Sequence, residues 1–250
     1  MLQYAAASGD VIRGCLEDNT MHRQLAFSCF LLCVIGVLGV VAAQNQGSAA
    51  PRPNPTDVRL AGDRFAPLTY EQMTPEQKKM FENLLSGERR GAGGPFNVLL
   101  RSPEMGDQLQ KFGATMRFHS SIPRKLNELA IIITARHWTA QYEWYAHRRL
   151  AQEAGLSQAV IDAIAAGKRP ATMQPDEEAV YTFCTELITT KQVSDRTFQA
   201  AKDKFGERGV VDLIGVTGYY GLISMLLNTD RYPLPEGVQP ELKPLAQSTR

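Results

Sequence analysis

Between Thr74 and Asn228, apolar residues recur at three- and four-residue intervals, and nearly every such run opens on a helix cap or closes on a glycine. No stretch alternates apolar and polar residues for long, so the chain offers no face that a sheet could bury. Thr74-Pro75-Glu76-Gln77 combines an N-cap Thr, Pro at the first helical position and Gln at the third. Met80, Phe81, Leu84 and Leu85 follow at helical spacing, and Gly87 closes the run. The same logic predicts helices from Ser102-Pro103 to about Phe118, from Ile122-Pro123 through Ile133, and from Thr139 to Ala154. Others are expected from Ser157 to Gly167, over 175–191, from Ser194 to Gly206 and from Glu207 to Asn228. Ile131, Ile132 and Ile133 favour strand individually, but they sit inside a helical pattern and read as buried helix. Gly91 to Pro95 reads as a loop. The expected fold class is all-α, with no internal repeat of solenoid period.

Residues 25–43 are of another kind. They form an apolar run without a charge, preceded by Arg23 and closed by Val41, Ala42 and Ala43 before the polar Gln44. A basic start, an apolar centre and small residues at the end are the marks of a secretory signal cut after Ala43. Met21 then reads as the start, and 1–20 as an upstream extension. The protein is expected to be periplasmic or secreted; uncleaved, the same run is long enough to anchor it in a membrane. Residues 1–43 are thus extension and signal. The polar, Pro-rich stretch after them makes 44–66 a flexible tether, with a folded domain over 67–235 and a tail over 236–250. Cleavage removes Cys15, Cys29 and Cys33. Cys184 alone remains, so no internal disulfide staples the exported chain and its core must hold it together.

With 27 Lys+Arg against 26 Asp+Glu, the chain projects no strong field, which excludes a polybasic nucleic-acid binder. The chemistry must sit in a few side chains. On the helix Thr139–Ala154 the inward stripe is Ala140, Glu143, His147, Leu150, Ala151 and Ala154, so Glu143 and His147 stand four apart on an apolar face. A buried carboxylate needs a partner; an imidazole is one, and the pair tunes proton affinity toward neutral pH. A satisfied core ion pair has the same spacing. A metal site is the weaker reading, since no further His lies at ligand spacing. Glu128, between Leu126 and Leu129 on the preceding helix, reaches the same place if the two helices are antiparallel; a surface Glu beside Arg124 is its other reading. Arg117 and Arg136 are candidates for holding a substrate carboxylate, or are helix-end charges. His119 reads as a helix-end residue, Tyr219 and Tyr220 as core, Gly215, Gly218 and Gly221 as helix packing, and Cys184 as a buried small hydrophobe.

Together, Leu126-Asn127-Glu128-Leu129, Ala135-Arg136, Tyr142-Glu143-Trp144-Tyr145-Ala146-His147 and Ala154-Gly155-Leu156-Ser157 resemble the carboxymuconolactone decarboxylase family. The likeness extends to Gly94-Pro95-Phe96-Asn97 upstream and to the Val211–Asn228 helix downstream, covering roughly 67–235. The resemblance implies an alkylhydroperoxidase D-like helical bundle that assembles as a homotrimer or homohexamer. One branch of that family is a peroxidase (peroxiredoxin-type) with a Cys-x-x-Cys pair; those positions correspond here to Ala140 and Glu143. This chain follows the other branch, which resembles the decarboxylase itself. What that implies is a cofactor-free lyase acting on a small carboxylated lactone or related acid, with His147 as proton donor, Glu143 orienting it and Glu128 completing the relay. Export departs from the family pattern, because catabolism of such lactones is normally cytoplasmic. A non-catalytic helical oligomer that binds a small ligand is the alternative.

Overall fold

The computed structural model describes residues 52–89 and 91–245; the signal and the alternative membrane anchor, both placed on 25–43, lie outside the described residues. Among those described, the regular structure is eight α-helices and two short 3-10 turns, without a strand. The helices are α1 (Pro75–Ser86), α2 (Phe96–Leu99), α3 (Pro103–Phe118), α4 (Arg124–His137), α5 (Gln141–Glu153), α6 (Gln158–Ala165), α7 (Pro175–Thr190) and α8 (Asp195–Asp230).

The caps act where their chemistry predicts. Thr74 Oγ1 accepts from the Gln77 amide, and Gln77 reciprocates to the Thr74 amide at 2.9 Å. Ser157 and Ser194 cap α6 and α8 by accepting from the Val160 and Thr197 amides. The centre of the fold is α4, whose residues from Leu126 to Arg136 are all buried. It packs against α5, α7 and α8 and is buried on every side, which explains why its three isoleucines are helical despite their strand preference. A second, smaller core joins Met73, Met80, Phe81, Leu84 and Leu85 to Ala92, Phe96, Leu99 and Leu100. The four-residue α2 lies in this cluster and is too short for periodicity to reveal.

One expectation holds and two change. The helices expected either side of Gly206 are both present: α8 comprises two helices that meet in a kink at Gly206 (φ 68°, ψ 178°). That backbone conformation is accessible almost solely to glycine, so the residue ends the first helix and turns the chain into the second. The tether expected over 44–66 is not free throughout. Asp230 Oδ1 accepts from the amides of Asp63 (3.2 Å) and Phe65 (2.8 Å), and Asn97 donates to the Phe65 carbonyl at 2.7 Å. Nor are residues 236–245 a loose tail. Leu242 is buried in the main core, the Gln141 amide bonds both its carbonyl (2.7 Å) and its N–H (3.1 Å), and Trp144 Nε1 donates to Glu241 at 2.9 Å. This C-terminal strap holds the first turn of α5.

α8 is long and apolar enough by composition to cross a bilayer, yet much of its apolar stretch is buried against the other helices.

Candidate functional site

The turn between α4 and α5 sets the site. Thr139 takes a left-handed conformation (φ 48°), and the Ala140 amide closes back on the Ala135 carbonyl at 2.9 Å. The chain therefore reverses within three residues, and α5 returns antiparallel along α4. Glu128 on α4 is thereby brought to His147 on α5. His147 Nδ1 lies 2.7 Å from Glu128 Oε2, and His147 Nε2 lies 3.1 Å from Glu143 Oε1. All three residues are 4–5% exposed. Both nitrogens of one imidazole are thus engaged by carboxylates in a site shielded from water.

Burial alone would drive the His147 proton off. The charge of Glu143 and the hydrogen bonds to Glu128 and Glu143 outweigh it, and its pKa rises to about 9. At neutral pH the ring is an imidazolium, a proton donor that water cannot discharge directly. The Tyr220 ring meets it edge-on, with centroids 5.0 Å apart. Burial, then the charge of Glu143, push the Tyr220 phenol well above its ordinary range, so it stays a neutral donor.

Two cavities flank this trio. One, of about 220 Å³, is bounded by Glu143, His147, Tyr142 and Ala146 of α5, by Tyr219, Tyr220 and Ile223 of α8, and by Arg89, Arg117 and the loop from Gly91 to Phe96. The other, of about 400 Å³, is bounded by Glu128 together with Arg117, Ser120, Arg124, Asn127 and Leu150. Glu128, His147 and Glu143 therefore form a hydrogen-bonded chain from one cavity to the other, and Arg117 borders both. Gly113 on α3 makes room beside it: a Cβ there would overlap the Tyr219 hydroxyl and the Arg89 guanidinium.

Of the residues singled out from the sequence, the structure brings Glu128, Glu143, His147 and Arg117 together. It does not bring Arg136 to them. Arg136 is buried on the far end of α4, where its guanidinium donates to the Lys243 carbonyl at 2.8 Å and to Thr139 Oγ1 at 3.3 Å. It anchors the C-terminal strap, because as a last-turn residue of α4 it points past the helix end and not toward the middle of α5. His119 is exposed and pairs with Glu88 at 2.6 Å. Cys184 is fully buried on α7, accepts from Thr217 Oγ1 at 3.4 Å, and its thiol is pushed up to about 12 by burial. Arg89 was not legible in advance, since it sits in the turn after α1 where no periodicity marks it. The signal for the tyrosines was present but ambiguous: Tyr219 and Tyr220 lie on a helix apolar enough to hide their hydroxyls.

No protein-family model matches this chain, and no curated protein matches it either.

Proposed function

We propose that this chain is an exported, cofactor-free lyase of the carboxymuconolactone decarboxylase type, acting on a small carboxylated lactone or related acid and assembling as a homo-oligomer. The observation that carries the reading is the buried imidazolium bonded at both nitrogens, bordering a cavity that also presents arginines. In the proposed reaction the bond from carbon to the leaving carboxylate breaks and CO2 departs. Its electron pair spreads into the conjugated carbonyl. His147 Nε2, on the cavity side with Glu143, then delivers its proton to carbon. Glu128, bonded to Nδ1–H, holds the ring and its charge in place, and Nε2 regains a proton from solvent once the product has left the 220 Å³ cavity. Holding the donor in place and shielding it is worth about 10²–10⁴-fold.

A thiol-cycling peroxidase is the less supported reading. Ala140 and Glu143 stand where that branch of the resembled family has its cysteines, and the Cys184 thiol is too basic and too buried to supply a thiolate at neutral pH. Purified protein assayed for CO2 release and ultraviolet change against a set of carboxylated lactones tests the proposal. His147→Gln should lose about 10²-fold or more in kcat while KM changes far less, and Cys184→Ser should turn over normally. A folded His147→Gln enzyme with full activity, or a folded but inactive Cys184→Ser, would overturn it.

A further inference from the structure

Arg89 emerges from the turn after α1 without an acidic partner. Among the described residues no carboxylate lies within ion-pair distance of it, and the neighbouring Glu88 is committed to His119. Among the described residues its buried Nε has no hydrogen-bond partner, and its side chain makes one bond, a long one of 3.4 Å, to the Tyr219 hydroxyl. The guanidinium lies 5.6 Å from the centre of the Phe96 ring and 5.9 Å from that of Phe118. Arg117 lies 5.3 Å from the same Phe118 ring and likewise forms no ion pair among the described residues. Two cations thus border the 220 Å³ cavity, both near one aromatic ring and with donors to spare. Beside His147, Tyr220 borders the same cavity. It is 2% exposed, and its hydroxyl has no partner among the described residues. A buried donor left unmatched costs free energy, and such groups concentrate where a ligand supplies the missing acceptor.

We infer that Arg89 and Tyr220 are the two ends of a ligand site: Arg89, with Arg117 beside it, takes a carboxylate, and the Tyr220 hydroxyl donates to a carbonyl or lactone oxygen of the same small molecule. This rests on reading the His147 cavity as a substrate site and names the ligand class it selects, an acid with a second oxygen acceptor a few bonds away. A simple alkanoate satisfies one end only, and a neutral oxo compound only the other. In the proposed decarboxylation the Tyr220 end is where negative charge gathers, which a neutral phenol is suited to receive.

The test needs no turnover. Titrations of the full chain with 4-oxopentanoate, pentanoate and 4-oxopentanamide, followed by ligand-observed NMR or calorimetry, separate the two ends. The wild type should bind 4-oxopentanoate saturably, pentanoate more weakly, and the amide weakest. Arg89→Gln should weaken both acids about tenfold or more and leave the amide unchanged, with Arg89→Lys recovering part of the loss. Tyr220→Phe should weaken 4-oxopentanoate about three- to tenfold and leave pentanoate unchanged. It should also leave thermal unfolding unchanged or raise it, whereas a purely structural hydroxyl would lower it. The inference is overturned if acids and amide bind the wild type alike, or if no acid saturates below about 20 mM. It is equally overturned if folded Arg89→Gln binds acids normally, or if Tyr220→Phe weakens both acids equally. If Arg89→Gln does not fold, the acid-against-amide comparison on the wild type decides. Selective binding without CO2 release from any lactone would leave this site standing and sink the lyase reading.

Discussion

His147 has no free ring nitrogen, since Glu128 engages one and Glu143 the other. Its pKa of about 9 lies above the value of 6.5 for an unfolded histidine, so the native state keeps a proton that the unfolded chain releases first. The resulting stabilisation is complete below pH 6.5 and is lost as pH climbs through about 9; it amounts to roughly 3 kcal/mol. Urea unfolding of wild type and His147→Gln across this range should therefore show a gap that is widest at the acid end and closes at the alkaline end. A gap independent of pH would contradict the assignment. His137, whose pKa burial lowers, titrates below this window and leaves the comparison intact. Much of this chemistry was legible beforehand. A Glu and a His four apart on an apolar stripe have few other places to go, and a Glu between two core leucines points at the same interior. Arg136 lies apart from the trio because a helical position gives a side chain's direction but not which neighbouring segment it meets; here a strap about a hundred residues later receives it.

At the scale of elements, helix starts were the most readable feature, because a cap satisfies specific backbone donors and so demands specific residues. Thr74, Ser157 and Ser194 show this. Helix ends were readable where a glycine marks them, and Gly206 is the instructive case. A glycine after a periodic run signals a stop, and helical geometry does break there; a second helix begins at once, since the apolar stripe on the far side has the same core to cover. Replacing Gly206 by Ala should cost about 1–3 kcal/mol, seen as a lower urea midpoint with unchanged slope. Gly218 on the same helix is the counter-case. It is helical, and a Cβ there meets nothing within 4 Å. Within the protomer, Gly218→Ala should leave the fold unharmed or stabilise it by up to about 1 kcal/mol, read on an Ile214→Glu background so that contact between copies through α8 does not enter. Equal effects of the two substitutions would show that backbone conformation at Gly206 carries no special cost.

At the scale of the whole molecule, α8 has one face that no described residue covers. Val211 is 65% exposed, Ile214 48% and Met225 42%, and they lie along one stripe with Gly218 and Leu222, flanked by Phe112. We propose a second copy of this chain as its occupant. The stripe is self-complementary about Gly218: in an antiparallel crossing Val211 meets Met225, Ile214 meets Leu222, and the two glycines meet at the centre. A two-fold contact of this kind fits a dimer or a hexamer built from dimers, not an isolated trimer, which has no two-fold axis. Light scattering at micromolar concentration should give an oligomer, and Ile214→Glu should halve its mass or reduce it further while the circular dichroism stays helical. A monomeric wild type, or an Ile214→Glu protein of unchanged mass, would dismiss the interface. Nothing in the periodicity distinguishes this outward stripe from the inward one, so a helix apolar on both sides reads from sequence simply as core.

The strap that closes over α5 also fixes when the site can exist during synthesis. Gln141 and its partner Leu242 are 101 residues apart. At about 5–20 residues per second, some 5–20 s pass between the making of the site helix and the arrival of the residues that lock it. Over that interval Glu128, Glu143 and His147 are all present, but Trp144 and Gln141 lack their partners and the apolar seat of Leu242 is empty. The nascent chain is thus held short of completion by its own order of emergence, and the buried charges come together for good only once the last core residue has left the ribosome.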